Sequence, residues 1–220
     1  MFEGFSKATS DFMWELSFNN ERPWFLAHKE EFERVLNTPF KALAAETNEL
    51  MQKRFPHMNC KLHVARIYRD ARRLFGRGPY KDHLWFSVKH DDGLLEGPMF
   101  WFEIGAAEWS YGMGFYSATA TQMQSFRNIV DANPAAFESL IKETERHPEF
   151  VLTGEKYSRP KGTHNERIDN WYNRKRLGLE HEEDFGGELL SPELPKILVS
   201  EYEKLMPVYE FFLRFYDAEN

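Results

Sequence analysis

The side chains best suited to chemistry are concentrated in the segment 66–81, where six basic residues face a single acid. An arginine presents a planar fork of donors that matches a carboxylate or a phosphate at two points. We therefore expect this segment to bind a small anionic ligand. The alternative is an Arg–Asp ion-pair network that anchors the loop and stabilises it little. The candidate ligand-binding residues here are Arg66, Arg69, Asp70, Arg72 and Lys81, while Arg73 and Arg77 add charge.

A second basic segment, 156–176, carries seven basic residues against two acids. Each of the two windows has a net charge of +5 within a chain of net charge −7, which leaves −17 for all other residues. A chain polarised in this way can focus an anion at one place and repel it elsewhere. We add Lys156 and Arg159 to the ligand-binding candidates, on the assumption that the two windows meet in space. A solvated basic loop is the alternative.

Two groups near the first window could transfer a proton. His83 follows the basic run, and Glu103 lies on a segment with strand-like alternation. Either group could titrate near neutral pH if it is buried beside charged partners. Trp101 shares the predicted strand face of Glu103 and could form an aromatic wall of the ligand site, although aromatic residues at this spacing are often core. His83 and Glu103 are the catalytic candidates, and the sequence leaves open whether the protein is an enzyme.

Several familiar kinds of site are not indicated. The eight histidines lack metal-site spacing, and neither a phosphate-binding loop nor a nucleophile elbow occurs. The acidic run 181–184 is interpreted as a solvated face, and the lone Cys60 as a small buried side chain. We therefore predict no metal and no cofactor.

The composition predicts one well-packed domain, residues 1–220, because 16% of the residues are aromatic and the length suits a single core. The N-terminus lacks the basic and apolar regions of a signal peptide, and no apolar run reaches the roughly 20 residues of a membrane span. A single cysteine fits a reducing compartment, so a cytoplasmic location without membrane contact is expected. The negative net charge disfavours nucleic acid as a partner. The oligomeric state is not predictable.

The pattern of apolar residues indicates helices, then strands, then helices. Ser6, Pro23 and Thr38-Pro39 each mark a helix start in the first third, and Thr119, Asn133-Pro134 and Ser191-Pro192 do so later. The segments 62–70, 84–89, 100–104 and 109–115 alternate as strands do, with short connections, and a further short strand covers 150–154. This order predicts an α+β fold, with a central antiparallel meander of about four or more strands flanked by N-terminal, middle and C-terminal helices.

Three motifs in this order resemble a bacterial family of conserved hypothetical proteins called domain of unknown function 2461. They are Gly4-Phe5 with Asn19-Asn20, Arg22 and Trp24-Phe25; Arg66-Ile67-Tyr68-Arg69-Asp70 with Arg72 and Pro79-Tyr80-Lys81; and Gly154-Glu155-Lys156-Tyr157 with Arg159-Pro160. The resemblance spans nearly the whole chain. It implies helices around an antiparallel sheet and brings no activity, cofactor or catalytic residue.

These observations support two main functional hypotheses. The first is a protein that binds a small phosphate- or carboxylate-bearing ligand in a pocket lined by basic and aromatic residues, with or without catalysis. The second is an interaction module without chemistry of its own, whose aromatic and basic surface meets an acidic partner.

Overall fold

The computed structural model describes residues 1–70, 72, 74, 76–90 and 97–217, with the side chains of 216 and 217 excepted. The α-helices are α1 Lys7–Phe18, α2 Arg22–Ala27, α3 Lys29–Phe32, α4 Thr38–Arg54, α5 Ala120–Ala132, α6 Pro134–Thr144, α7 Glu166–Tyr172 and α8 Leu194–Asp217. A π-helix, Glu33–Asn37, precedes α4, and 3-10 turns cover Pro56–Met58 and Gly187–Leu190. The strands are β1 Cys60–Val64, β2 His83–His90, β3 Met99–Gly105, β4 Glu108–Gly114, β5 Val151–Thr153 and β6 Gly178–Asp184.

The described strands form a six-stranded antiparallel sheet of order β1-β2-β3-β4-β6-β5. The first four strands are the predicted meander, and the α+β prediction is confirmed. Strand β6 was not predicted. Leu179 of this strand is buried, whereas Glu182 and Asp184 are exposed. Because acidic residues are rare in strands, the sequence does not indicate this alternation.

The predicted strand over 62–70 was too long. Strand β1 ends at Val64, and the chain then pairs irregularly with residues 79–81 through an isolated bridge between Tyr68 and Tyr80. Arg69 N–H donates to Pro79 O and Lys81 N–H to Ile67 O, both at 2.8 Å. Pro79 has no N–H to return the first of these bonds, so a regular ladder cannot continue.

Local capping explains most helix starts. Ser6 precedes α1, while Thr119 and Asn133 cap α5 and α6 with their side chains, as the sequence predicts. Helix α4 begins at Thr38, as the Thr38-Pro39 pair predicts, but Thr38 is not an N-cap, because residues 37 and 38 already have helical dihedral angles. Pro39 cannot donate to the Val35 carbonyl, and the buried Thr9 hydroxyl donates to it instead at 2.7 Å.

The chain divides into two compact units, each made of several segments. The first comprises Met1–Val88, Trp101–Tyr111 and Glu182–Val199, and the second comprises Lys89–Phe100, Gly112–His181 and Ser200–Asn220. The boundaries fall inside β2, β3, β4, β6 and α8. The expectation of one domain over residues 1–220 stays a prediction.

Each unit has its own aromatic core. In the first, Phe40 of α4 packs on Phe86 of β2, which stacks on Phe102 of β3 at 5.4 Å between ring centroids. In the second, Phe100 stacks on Tyr209 of α8 at 4.7 Å. Aromatic burial of this size supplies much of the driving force for folding, and it leaves His83, Trp85, Trp101 and Glu103 half-buried.

Candidate functional site

The position of Tyr80, the residue before Lys81, is set by a side chain 60 residues earlier in the sequence. The Asn20 amide donates to Tyr80 O and accepts from Tyr80 N–H, both at 3.0 Å. The buried Tyr80 ring stacks on Phe25 of α2 at 4.1 Å. A methyl group on Gly78 would lie 2.3 Å from the Asn20 side chain, so this close approach requires glycine. The Asn20 side chain is therefore a clamp between distant segments.

Lys81 itself is a half-buried cation. Among the residues that the structure describes, no carboxylate lies within 4.0 Å of its ammonium group. Burial lowers the pKa of Lys81, and the positive charges of Arg69 and Arg66 lower it further, while Glu103 acts in the opposite direction. These surroundings therefore disfavour the charged form of Lys81. An anion bound beside it would favour the charged form.

Arg69 is largely neutralised within the protein. Its side chain is only 11% exposed, and Nε donates to Tyr80 O at 2.7 Å. Its guanidinium lies 3.1 Å from Asp82, whose carboxylate also lies 2.9 Å from His83 Nδ1. Asp82 therefore organises Arg69 and His83, a role that the sequence analysis missed; the signal was the Lys-Asp-His run at the start of β2.

Glu103 is a proton-transfer candidate in a half-buried and charged environment. Burial raises the pKa of Glu103, with further contributions from Asp82 and Glu108, against the opposing charges of His83 and Lys81. Five charged or titratable groups, four of them predicted and one newly found, thus interact electrostatically. We call them the Lys81 cluster: Arg69, Lys81, Asp82, His83 and Glu103.

The other candidates of the first unit lie around this cluster. Arg66 is exposed and acts on Lys81 through its charge. Trp101 is half-buried, two residues before Glu103 on β3. Arg72 is different, because Asp70 holds its Nε and Nη2 at 3.1 and 2.8 Å in an exposed ion pair, as the alternative interpretation of this segment anticipated. Arg73 lies outside the described residues.

Lys156 and Arg159 are exposed and belong to the second unit, so the assumed meeting of the two basic windows stays a prediction. Lys156 lines an open cleft of about 910 Å³ within that unit. The acids of this cleft oppose an anionic ligand beside Lys156, since Arg167 is already paired with two of them. The acids of the lining are Glu138, Glu145, Glu166 and Asp169.

Two further features concern the described residues only. No group of three or more His, Cys, Asp or Glu side chains among them could hold a metal ion. Every helix in this part of the chain falls short of the length and apolarity that a membrane crossing demands.

Comparison with known proteins identifies one family. Its model, described as conserved hypothetical protein (DUF2461), matches residues 8–211, which confirms the resemblance inferred from the three motifs. No curated protein matches the sequence.

Proposed function

Since the chain belongs to this family of conserved hypothetical proteins, whose description assigns no activity, we propose a function from its own residues. The protein binds a small phosphate- or carboxylate-bearing ligand at the Lys81 cluster, with Arg66 and Trp101 beside it. Lys81 makes the central contact with the anion, and Trp101 supplies the aromatic wall.

The observation that carries this proposal is the half-buried ammonium group of Lys81, which forms no ion pair with any residue that the structure describes. A charge that is partly withdrawn from water is costly unless an opposite charge or hydrogen bonds compensate for it. The positive charges of Arg69 and Arg66 increase this cost, and the exposed Arg66 also attracts an anion. Arg69 adds little direct binding because Asp82 already occupies its guanidinium.

The same cluster is suited to proton transfer. Perturbed pKa values of a neighbouring acid and base are typical of functional sites, and here burial raises the pKa of Glu103 and lowers that of Lys81. Glu103 in its protonated form could donate to a bound oxyanion, and His83, oriented by Asp82, could accept a proton. An enzymatic activity would use these two residues.

Calorimetric titration with inorganic phosphate, a sugar phosphate, a nucleotide and citrate tests the proposal. Lys81→Met keeps the length of the side chain and removes its charge, so we expect at least tenfold weaker binding. Lys53→Met is the matched control, because Lys53 is exposed on α4 and paired with Glu49. If wild type binds none of the four anions more tightly than millimolar, or if both variants bind equally, the proposal is wrong.

One observation favours the interaction module as a second candidate. Trp14 and Phe18 stack on the outer face of α1 and are 45% and 79% exposed. Exposed aromatic pairs of this kind are common at protein interfaces. This candidate predicts that a partner purified with the wild-type protein is lost from a Trp14→Ser/Phe18→Ser variant whose phosphate binding is unchanged.

A further inference from the structure

The second unit contains a buried arginine that its neighbours do not neutralise. Arg127 lies on α5 and is only 5% exposed. It shares the inward face of the helix with Phe126 and Val130, where arginine is rare unless it is paired. Among the described residues, no carboxylate lies within ion-pair distance of its guanidinium.

The hydrogen bonds of Arg127 are also incomplete. Nη2 donates to Gln124 Oε1 at 3.3 Å, whereas Nη1 is sealed from solvent and has no acceptor among the protein groups that the structure describes. Buried donors of charged groups almost always have a partner, so an unpaired one calls for an explanation. A bound oxyanion would supply both the missing acceptor and the missing negative charge.

Lys161 adds a second positive charge near Arg127. The Tyr157 ring lies 5.8 Å from the Arg127 guanidinium carbon and 4.7 Å from Lys161 Nζ, so one aromatic ring contacts two cations. Two acids nearby are already engaged, Asp169 by the His164 backbone N–H at 2.8 Å and Asp131 by two side chains. The Asp131 carboxylate accepts from the Tyr172 hydroxyl at 2.9 Å and lies 2.9 Å from His164 Nε2.

We propose that Arg127, Lys161 and Tyr157 form a second site for a small oxyanion, in which an oxygen of a phosphate or carboxylate group accepts from Arg127 Nη1. The pair of Asp131 and His164 borders the site, and its polar side chains orient the remainder of a larger ligand. This site is independent of the Lys81 cluster, whose residues belong to the first unit.

Thermal unfolding of the full chain at increasing inorganic phosphate tests the inference, with sodium chloride at matched ionic strength as the reference. A ligand that binds only the native state raises the midpoint by mass action. We expect this rise to persist in Lys81→Met and to shrink by at least half in Arg127→Met and Lys161→Met. Lys142→Met, an exposed lysine on α6 paired with Glu138, is the control and should respond as wild type does.

The reference measurement without phosphate separates binding from a purely structural role. Removing a buried, unpaired charge should leave the midpoint of Arg127→Met unchanged or raise it. The inference is overturned if Arg127→Met and Lys161→Met retain the full phosphate response. It is also overturned if carboxylate and phosphate probes fail to stabilise Lys81→Met beyond chloride. If the inference holds, separate titrations of Lys81→Met with acetate and with phosphate show whether the site prefers a carboxylate or a phosphate group.

Discussion

The side-chain amide of Asn20 exchanges two hydrogen bonds, each of 3.0 Å, with the backbone of Tyr80. The amide thus makes the two backbone hydrogen bonds that a neighbouring strand would make, next to Pro79, where the regular pairing of strands is interrupted. Lys81 follows directly, and its own N–H is held by Ile67. The residue that we place at the centre of the anion site is therefore fixed by the turn between α1 and α2, far away in the sequence.

The first prediction concerns this clamp. Asn20→Ala leaves the Tyr80 N–H without its acceptor in a largely buried place, and we expect a loss of roughly 1–3 kcal/mol in the free energy of unfolding. Urea denaturation measures it. Asn19→Ala is the control, because Asn19 only donates to an exposed carbonyl at the end of α1. Equal losses in the two variants would contradict the clamp.

The second prediction concerns the Thr9 hydroxyl. Thr9→Val keeps the shape of this buried side chain but removes the donor to the Val35 carbonyl, which Pro39 cannot replace. We expect a loss of roughly 1–3 kcal/mol in urea denaturation. Thr9→Ser retains the hydroxyl and should lose clearly less. A Thr9→Ser variant as unstable as Thr9→Val would show that the methyl group, not the hydrogen bond, is what matters.

The third prediction is a pH dependence at Glu103. Burial raises its pKa above the ordinary value of 4.5 in the folded protein, so the fold favours the protonated acid. The stabilisation is complete below the unfolded-state pKa and is lost as the pH rises through the folded-state pKa. Glu103→Gln mimics the protonated acid. We therefore expect it to unfold at a higher urea concentration than wild type at pH 7, with a smaller difference at pH 4. A less stable Glu103→Gln at pH 7 would refute this account.

The fourth prediction concerns the ionisation of Lys81. Burial and the two neighbouring arginines lower its pKa, so its amine should lose its proton below the ordinary lysine value of 10.5. Acylation by a trace of acetic anhydride across pH 7–11, followed by peptide mass spectrometry, gives the pKa of each lysine. In Glu103→Gln the pKa of Lys81 should fall further, because Glu103 favours the charged form. An unchanged value in this variant would disprove the electrostatic coupling between them.

Local patterns explain what the sequence could predict. Alternation of large apolar residues identified β2, β3 and β4, and single capping residues located α1, α5 and α6, because these signals act within a few residues. Strand β6 was missed because four of its seven residues are acidic. The π-helix before Thr38 was missed because its contacts are not local: its Val35 carbonyl accepts from Thr9, a residue of another helix.

The sequence could predict which residues belong to the candidate site, but not which of their side chains pair with one another. The sequence singled out Lys81, His83 and Glu103, and the structure places them in one cluster. The sequence could not show that Asp70 forms an ion pair with Arg72, since ion pairing depends on the geometry of the loop. Arg127 carried a usable signal that was overlooked: an arginine at the apolar spacing of an amphipathic helix.

Protection of Lys81 from acylation by phosphate tests the central claim most directly. Lys53 serves as an internal standard in the same sample, and chloride replaces phosphate at matched ionic strength in the reference. The account predicts that saturating phosphate slows the acylation of Lys81 at least fivefold and leaves that of Lys53 unchanged. Equal rates at Lys81 with phosphate and with chloride would contradict an anion site at this residue.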